Sequence, residues 1–180
     1  VRLARLGYRC GTLLLPTMEE APRHLGVWLR QRTRWLKGWI QTIFVHTRNP
    51  AALVRDLGWR RTALFHLALS AIVLSALCHP VFLVLLAVEF GRSVLGVSAA
   101  GAELAMLVIA IFNLAAGYTT YAFLAHEIAR RNGRRVVPLL IGLPLYWLLI
   151  SAAGWRAAWQ FVFDPFRWEK TEHGLANSAT

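Results

Sequence analysis

The chain has 180 residues, of which 57% are hydrophobic, and its 20 Lys and Arg outnumber its 9 Asp and Glu to give a formal net charge of +11. The apolar residues form long blocks and the basic residues lie between them, which is typical of a membrane protein with basic loops on the cytoplasmic side. Binding to nucleic acid would explain the charge but not the apolar blocks, so we expect no nucleic-acid partner.

Residues 1–22 form the first of four predicted zones. The chain opens at Val1 in what resembles the middle of an amphipathic helix, so we expect a piece of a longer protein. The helical pattern reaches Gly7, a strand-like run covers Tyr8–Leu15, and Pro16 ends that run before an acidic pair. We therefore expect this zone to be the tail of a mixed α/β domain.

Residues 23–61 carry nine Lys or Arg against the single acid Asp56. At 100° per residue their apolar side chains fall on one stripe, which predicts an amphipathic helix from about 23 to 46. The stripe consists of Leu25, Trp28, Leu29, Leu36, Trp39, Ile40 and Ile43. Cationic residues beside an apolar, Trp-containing face favour a helix at a membrane surface. A core helix of a soluble domain is the alternative, which the neighbouring apolar blocks disfavour.

Residues 62–163 form the predicted transmembrane region. Thr62–Val88 and Glu103–Ala125 each reach the roughly 20 residues that cross a bilayer core. By the positive-inside rule, the basic loop 130–135 stays in the cytoplasm, together with residues 23–61 two crossings earlier.

The last apolar stretch, Val136–Phe163, leaves two topologies open. Pro138, Pro144 and Gly154 interrupt it, so it either crosses once or forms a re-entrant or interfacial hairpin. The membrane region therefore has two or three spans. The polar tail, residues 164–180, has nearly balanced charges that do not decide its side.

A cluster of polar residues on the predicted interfacial helix points to chemistry. Gln31, Arg34 and Trp35 share one side of the helix, about 130° from the apolar stripe. Arg and Gln donate hydrogen bonds to a diphosphate, and an indole ring stacks on the apolar face of a sugar. Arg and Trp on such a helix also serve as plain lipid anchors, which is the alternative interpretation.

Two segments resemble membrane-bound family 2 glycosyltransferases, the group that includes cellulose and hyaluronan synthases. Trp28–Trp39 reads WLRQRTRWLKGW and is similar to the interfacial helix of that family with its Q-x-x-R-W motif. Pro165–Gly174 reads PFRWEKTEHG and is similar to the C-terminal signature of a bacterial branch of the family. The resemblance covers nearly the whole chain, because both segments occur in the expected order with apolar stretches between them.

The resemblance implies a mainly α chain that begins at the end of a GT-A-type α/β domain. It also implies inverting transfer from a nucleotide sugar to a growing polysaccharide, with divalent Mg or Mn on the diphosphate. The family's metal-binding D-x-D motif and its catalytic base in a T-E-D motif both precede Q-x-x-R-W, and neither is present here. We therefore expect no catalytic base and no metal ligand in this stretch, which alone should be inactive because base catalysis needs a positioned proton acceptor.

The same resemblance assigns roles to individual side chains. Trp35 would stack on the acceptor sugar, and Arg34 with Gln31 would bind the diphosphate or the acceptor end. The tail residues nearest the nucleotide would be Trp168, Lys170 and Thr171. An interfacial anchor is the alternative for that tail. The functional interpretation needs a cytoplasmic tail and therefore favours the hairpin over a single crossing.

The expected setting is a multi-pass protein of the bacterial inner membrane with its basic segments in the cytoplasm. Its expected partners are a nucleotide sugar, a glycan acceptor, the lipid bilayer and an envelope export partner. The alternative function is a non-catalytic membrane scaffold or transporter module of an envelope complex.

Overall fold

The computed structural model describes residues 1–11, 13, 15, 21–97, 99–131, 133 and 137–169, with the backbone alone at 138–139. Within these ranges the chain forms six helices and no strand, which confirms a mainly α fold. The helices are α1 (Arg2–Arg5), α2 (Leu25–Thr47), α3 (Pro50–Leu57), α4 (Trp59–Val94), α5 (Ala102–Arg131) and α6 (Val137–Phe163). They belong to two compact units, one made of Val1–Leu74 with Ala153–Thr180 and the other of Ser75–Ala152.

The strand expected at Tyr8–Leu15 is wrong for the residues of this run that the structure describes. Those residues, 8–11, 13 and 15, lie in neither helix nor strand. A strand needs a neighbour to pair its backbone groups, and the described ranges contain none. Pro16 and the acidic pair Glu19-Glu20 lie outside the described residues, and the assignment of this zone to a GT-A domain stays a prediction.

The amphipathic helix predicted for 23–46 is confirmed as α2, but its buried face is broader than the apolar stripe. Leu36 and Ile40 from the stripe are buried, whereas Leu25 is exposed. Thr33 and Lys37 are buried beside them. The four buried residues follow the spacing of one helix face. A lysine therefore lies on the face that the hydrophobic pattern assigned to apolar side chains.

Local signals at both ends define α3. Asn49 accepts a hydrogen bond from the backbone N–H of Ala52 at 3.0 Å, and Pro50 occupies the first helical turn. Both are favoured at helix starts because they satisfy or remove a donor that has no partner within the helix. The helix ends before Gly58, whose φ of +80° suits a residue without a Cβ. Leu53 and Leu57 form its buried side.

An ion pair joins α1 to α3. The Arg5 guanidinium donates two hydrogen bonds, of 2.9 and 2.8 Å, to one oxygen of Asp56. The hydrogen bond from Arg5 lowers the pKa of the Asp56 carboxyl from its ordinary value. Asp56 is the single acid of zone 23–61, and its partner comes from the first zone.

Both predicted spans are helical and extend beyond their predicted ends. Thr62–Val88 lies within the 36-residue α4, and Glu103–Ala125 lies within the 30-residue α5. With α6, the described residues contain three helices long and apolar enough to cross a membrane. By their length and composition, these three helices suggest a membrane protein.

The hairpin that remained open for Val136–Phe163 is wrong, because residues 137–163 form one continuous helix, α6. Pro144 lies inside this helix without ending it. Pro138 is the second helical residue, where a missing N–H costs no helical hydrogen bond. Gly154 is buried, as are Ala153 and Ala157.

Polar side chains on the long helices are paired with one another. In the second unit His79 Nε2 lies 2.8 Å from the hydroxyl of Tyr118, and its ring stacks on Trp147 at 5.7 Å between centroids. In the first unit His66 pairs with the Thr47 hydroxyl at 3.3 Å. Such pairs give polar side chains the hydrogen-bond partners that lipid does not provide.

The Arg5–Asp56 pair predicts an acid-sensitive attachment of α1. The pKa of Asp56 is lower in the folded chain than in the unfolded chain. The ion pair therefore contributes its full stabilisation to the attachment of α1 at pH values above the ordinary carboxyl pKa. That stabilisation is lost as the pH falls through the lowered value. Hydrogen-exchange protection factors should show that the backbone amides of α1 lose protection on acidification. In Asp56→Asn these amides should already lack that protection at neutral pH. Equal neutral-pH protection in both proteins would contradict the assignment.

Candidate functional site

The three motif residues lie on α2 beside its buried face. Leu36 and Ile40 are 3% and 7% exposed, whereas Trp35 is 37% exposed. Gln31 and Arg34 are half-buried. The offset between apolar and polar residues along a 3.6-residue helix produces this arrangement, as the sequence pattern predicts. Gln31 lies one turn before Arg34 and Trp35, so all three share one side of α2.

The first residues of the C-terminal segment, 164–169, lie along α2. After a turn at Pro165 and Phe166, the segment passes the helix with alternate backbone carbonyls accepting hydrogen bonds from it. The bonds run from Gln41 to Pro165 (2.9 Å), from Lys37 to Arg167 (2.5 Å) and from Arg34 to Glu169 (3.2 Å). Because the donors are spaced three and four residues apart, they occupy one face of α2. The face that carries the motif arginine therefore holds the tail.

Lys37 depends on this tail for its burial. The residue is 5% exposed, and an ammonium group removed from water is costly unless it is hydrogen-bonded. Its Nζ donates to the carbonyl oxygen of Arg167. The tail therefore completes the environment of a buried charge on α2.

Glu169 ties the same tail to α6. Its carboxylate, 8% exposed, accepts hydrogen bonds from the Arg156 guanidinium at both oxygens and from Gln160 at 3.2 Å. The Nε of Arg167 lies 3.5 Å from it. The hydrogen bonds from Arg156 hold the pKa of Glu169 below its ordinary value, against the opposing effect of burial. The carboxylate is therefore ionised at neutral pH and paired.

Trp168 meets the motif arginine directly. The centre of the Arg34 guanidinium lies 5.1 Å from the centroid of the Trp168 ring, within cation–π range. The ring remains 73% exposed. Two predicted site residues far apart in sequence are thus in contact. Lys170 and Thr171 lie outside the described residues.

Trp35 has a different neighbour. The guanidinium of Arg32 lies 4.6 Å from the Trp35 ring centroid and 5.7 Å from that of Trp28. Arg32 thus lies between two indoles, Trp28 and Trp35, that are about two helical turns apart. Its Nε is buried without a hydrogen-bond partner among the described residues. The Q-x-x-R-W motif therefore presents an indole whose surroundings are cationic.

Sequence reasoning missed five residues that organise this site. They are Lys37, Gln41, Arg156, Gln160 and Glu169. One signal was available, because Arg156 is the only charged residue in Val137–Phe163. A lone charge in such an apolar stretch calls for a partner. The acids of the tail were counted as balancing charge and not considered as that partner.

Arg34 is in cation–π contact with Trp168, and the rings of Trp35 and Trp168 are exposed. Guanidinium groups and indole rings suit an anionic, ring-containing ligand better than a metal ion. In the described part of the chain, no group of three His, Cys, Asp or Glu side chains is placed to hold a metal. The family resemblance places the ligands of its divalent metal before the Q-x-x-R-W motif, so no step through a metal follows from the described residues.

Comparisons with models of known protein families, with curated proteins and with solved structures found no match to this chain.

Removing the Lys37 ammonium should loosen the tail. Lys37→Met keeps the length and the apolar stem but loses a charged hydrogen bond, worth about 1.5–3 kcal/mol. Trypsin cleavage after Arg167, whose carbonyl accepts that bond, should become at least about tenfold faster in the purified protein. Thr42→Val is the control, since its hydroxyl bonds to Gly38 within α2. Equal cleavage rates in Lys37→Met and wild type would contradict this role.

Proposed function

We propose that this chain contains the substrate-facing interfacial helix and membrane region of an inverting family 2 glycosyltransferase. The proposed enzyme transfers a sugar from a nucleotide-sugar donor to a growing polysaccharide at the bacterial inner membrane. One observation carries the proposal. Arg34 of Q-x-x-R-W bonds to Glu169 of the C-terminal signature although they are 135 residues apart in sequence. Contact between the two family-like segments is what a shared site would require.

Each motif residue has a role in this proposal. Trp35 stacks on the acceptor sugar through its exposed ring. Arg34 and Gln31 bind the diphosphate or the acceptor end, with Arg34 supported by Trp168. By the family resemblance, Lys170 and Thr171, which lie outside the described residues, would approach the nucleotide. The catalytic base and the ligands of a divalent Mg or Mn ion come from other parts of the enzyme, since no D-x-D motif occurs in this sequence.

A non-catalytic scaffold or transporter module in an envelope complex is the second candidate. It is favoured by the use that the structure makes of Arg34, which bonds to a backbone carbonyl and stacks on an indole of its own chain. Both contacts would serve a purely structural helix. The two candidates differ in what they require, because a scaffold needs charge and apolar area whereas a glycosyltransferase needs the planar guanidinium fork and the indole face.

The tail contacts also support a membrane topology. The segment 164–169 hydrogen-bonds to α2, and a bilayer core of about 30 Å would separate them if they lay on opposite sides. An even number of crossings must therefore lie between them. In our proposal α4 and α5 cross, and α2 and the tail are both cytoplasmic, as are the basic segments.

Helix α6 is the one that does not cross in this proposal. Near its C-terminal end, Trp155 and Trp159 are exposed while Arg156 reaches the tail. Exposed indoles beside a charge are typical of the membrane–water interface. In this proposal α6 therefore lies at the cytoplasmic interface, and the tail stays on the side that the chain reaches after α5.

The enzyme proposal is tested with the full-length parent protein in membrane vesicles. Release of nucleoside diphosphate is measured for a panel of nucleotide sugars. One donor should support turnover, and Arg34→Lys and Trp35→Leu should each reduce it by roughly tenfold, which corresponds to the loss of a charged or stacking contact of about 1.4 kcal/mol. Immunoblotting checks membrane insertion.

Matched controls come from a second tryptophan–arginine pair. Arg60 lies 5.4 Å from the exposed Trp59 ring, so Trp59→Leu and Arg60→Lys repeat the same chemical changes outside the motif. These controls should keep wild-type turnover. If no donor is turned over, or if the motif variants match the controls, the scaffold replaces the enzyme.

The topology is tested by cysteine labelling in intact cells after Cys10 and Cys78 are replaced by Ser. Ala100→Cys, in the α4–α5 connection, should react with a membrane-impermeant maleimide from outside. Arg48→Cys and Phe166→Cys should react only after permeabilisation. Labelling of Phe166→Cys from outside would mean that α6 crosses the membrane.

A further inference from the structure

An ion pair joins Glu169, in the C-terminal family-like segment, to Arg156, which lies in neither of the two family-like segments. Both guanidinium nitrogens of the Arg156 fork donate to the Glu169 carboxylate, one of them at 2.6 Å. Gln160 adds a third hydrogen bond at 3.2 Å. A bidentate guanidinium–carboxylate pair fixes geometry as well as contributing energy.

Burial makes this pair different from a surface salt bridge. The side chain of Glu169 is 8% exposed and that of Arg156 is 32% exposed. Exposed ion pairs contribute little, whereas a buried charge that loses its partner is strongly destabilising. The ion pairs of the half-buried Glu127 differ from this one, because both of its partners, Arg130 and Arg131, are more than 60% exposed. The Arg156–Glu169 contact is therefore costly to break.

Glu169 connects two helices through different groups. Its side chain binds α6, while its backbone carbonyl accepts the hydrogen bond from Arg34 on α2. The adjacent Trp168 ring stacks with the same guanidinium. Fixing the Glu169 side chain thus fixes two groups that contact the Arg34 guanidinium.

We propose that Arg156 and Glu169 are positioning residues that hold segment 164–169 on α2 and thereby orient Arg34 toward the anionic end of its substrate. The inference rests on the proposed glycosyltransferase function. Neither residue touches substrate. They act through Arg34, because the ion pair holds Glu169 and Trp168 where their carbonyl and ring contact the Arg34 guanidinium.

The proposed role separates kinetically from a plain structural role. Loss of folded enzyme lowers the apparent kcat and leaves KM for the nucleotide sugar unchanged. A misoriented Arg34 weakens binding of the donor and raises KM. Glu169→Gln keeps the shape of the side chain and removes its charge, so it tests orientation with the least disturbance of packing.

The experiment uses the full-length protein and two readouts. Glu169→Gln should raise KM for the donor sugar at least about tenfold, and it should accelerate trypsin cleavage after Arg167 by a similar factor. Glu127→Gln is the matched control, since it breaks an ion pair of the same type whose arginines are exposed, and it should change neither readout. An unchanged KM with a kcat reduced in proportion to the folded protein would overturn the positioning role.

A charge exchange distinguishes loss of the ion pair from general misfolding of the single variants. Arg156→Glu alone places two carboxylates together and should give the fastest cleavage. Adding Glu169→Arg restores an opposite pair and should recover most of the protection and of the KM, which is the coupling expected for residues in direct contact. If the double variant is no better than Arg156→Glu, the pair does not hold the tail.

The two proposals fail in different ways. Absence of turnover by the wild type with every donor would overturn the glycosyltransferase and with it the orientation of Arg34 for a substrate. The trypsin readout would still decide whether the pair holds the tail on α2. Wild-type turnover with an unaffected Glu169→Gln would overturn the positioning role alone.

Discussion

Charge burial beside apolar helices is the constraint on which the first unit depends. The side chain of Glu169 is 8% exposed, and Lys37 as a whole residue is 5% exposed. Each is acceptable only with hydrogen-bond partners. Glu169 obtains them from α6, and Lys37 obtains one from the carbonyl of Arg167. The two requirements converge on the same six residues, 164–169. The position of the tail follows from the need to pair charges, since its own side chains Phe166 and Trp168 stay exposed.

In the second unit, polar side chains on the apolar helices pair with one another. His79 finds Tyr118, and Arg92 lies 3.0 Å from both Glu89 and Glu103. The second unit therefore contains pairs formed within itself. The first unit differs, because its charged groups Lys37 and Arg34 are satisfied by a chain segment that comes more than a hundred residues later. The site therefore needs both α2 and the segment that follows α6.

This arrangement connects the proposed function with the proposed positioning pair. The Q-x-x-R-W helix contributes a guanidinium and an indole, and the C-terminal segment contributes a second indole and a backbone carbonyl beside them. A glycosyltransferase would use that composition for a sugar ring and its anionic leaving group, because indole faces and guanidinium forks bind those two chemistries. Through the proposed positioning pair, the orientation of the Arg34 guanidinium depends on α6 as well as on α2.

The sequence by itself determined the features that depend on local spacing. Helical periodicity located α2, apolar length located α4 and α5, and the offset of Gln31, Arg34 and Trp35 placed them on one side of α2. The tertiary structure decided what depends on distant partners. Lys37 is buried although it is charged, because a carbonyl from the tail reaches it. The last apolar stretch is one helix despite its prolines. The choice of Glu169 over the other tail acids as partner of Arg156 required the fold, since periodicity carries no information about which distant groups meet.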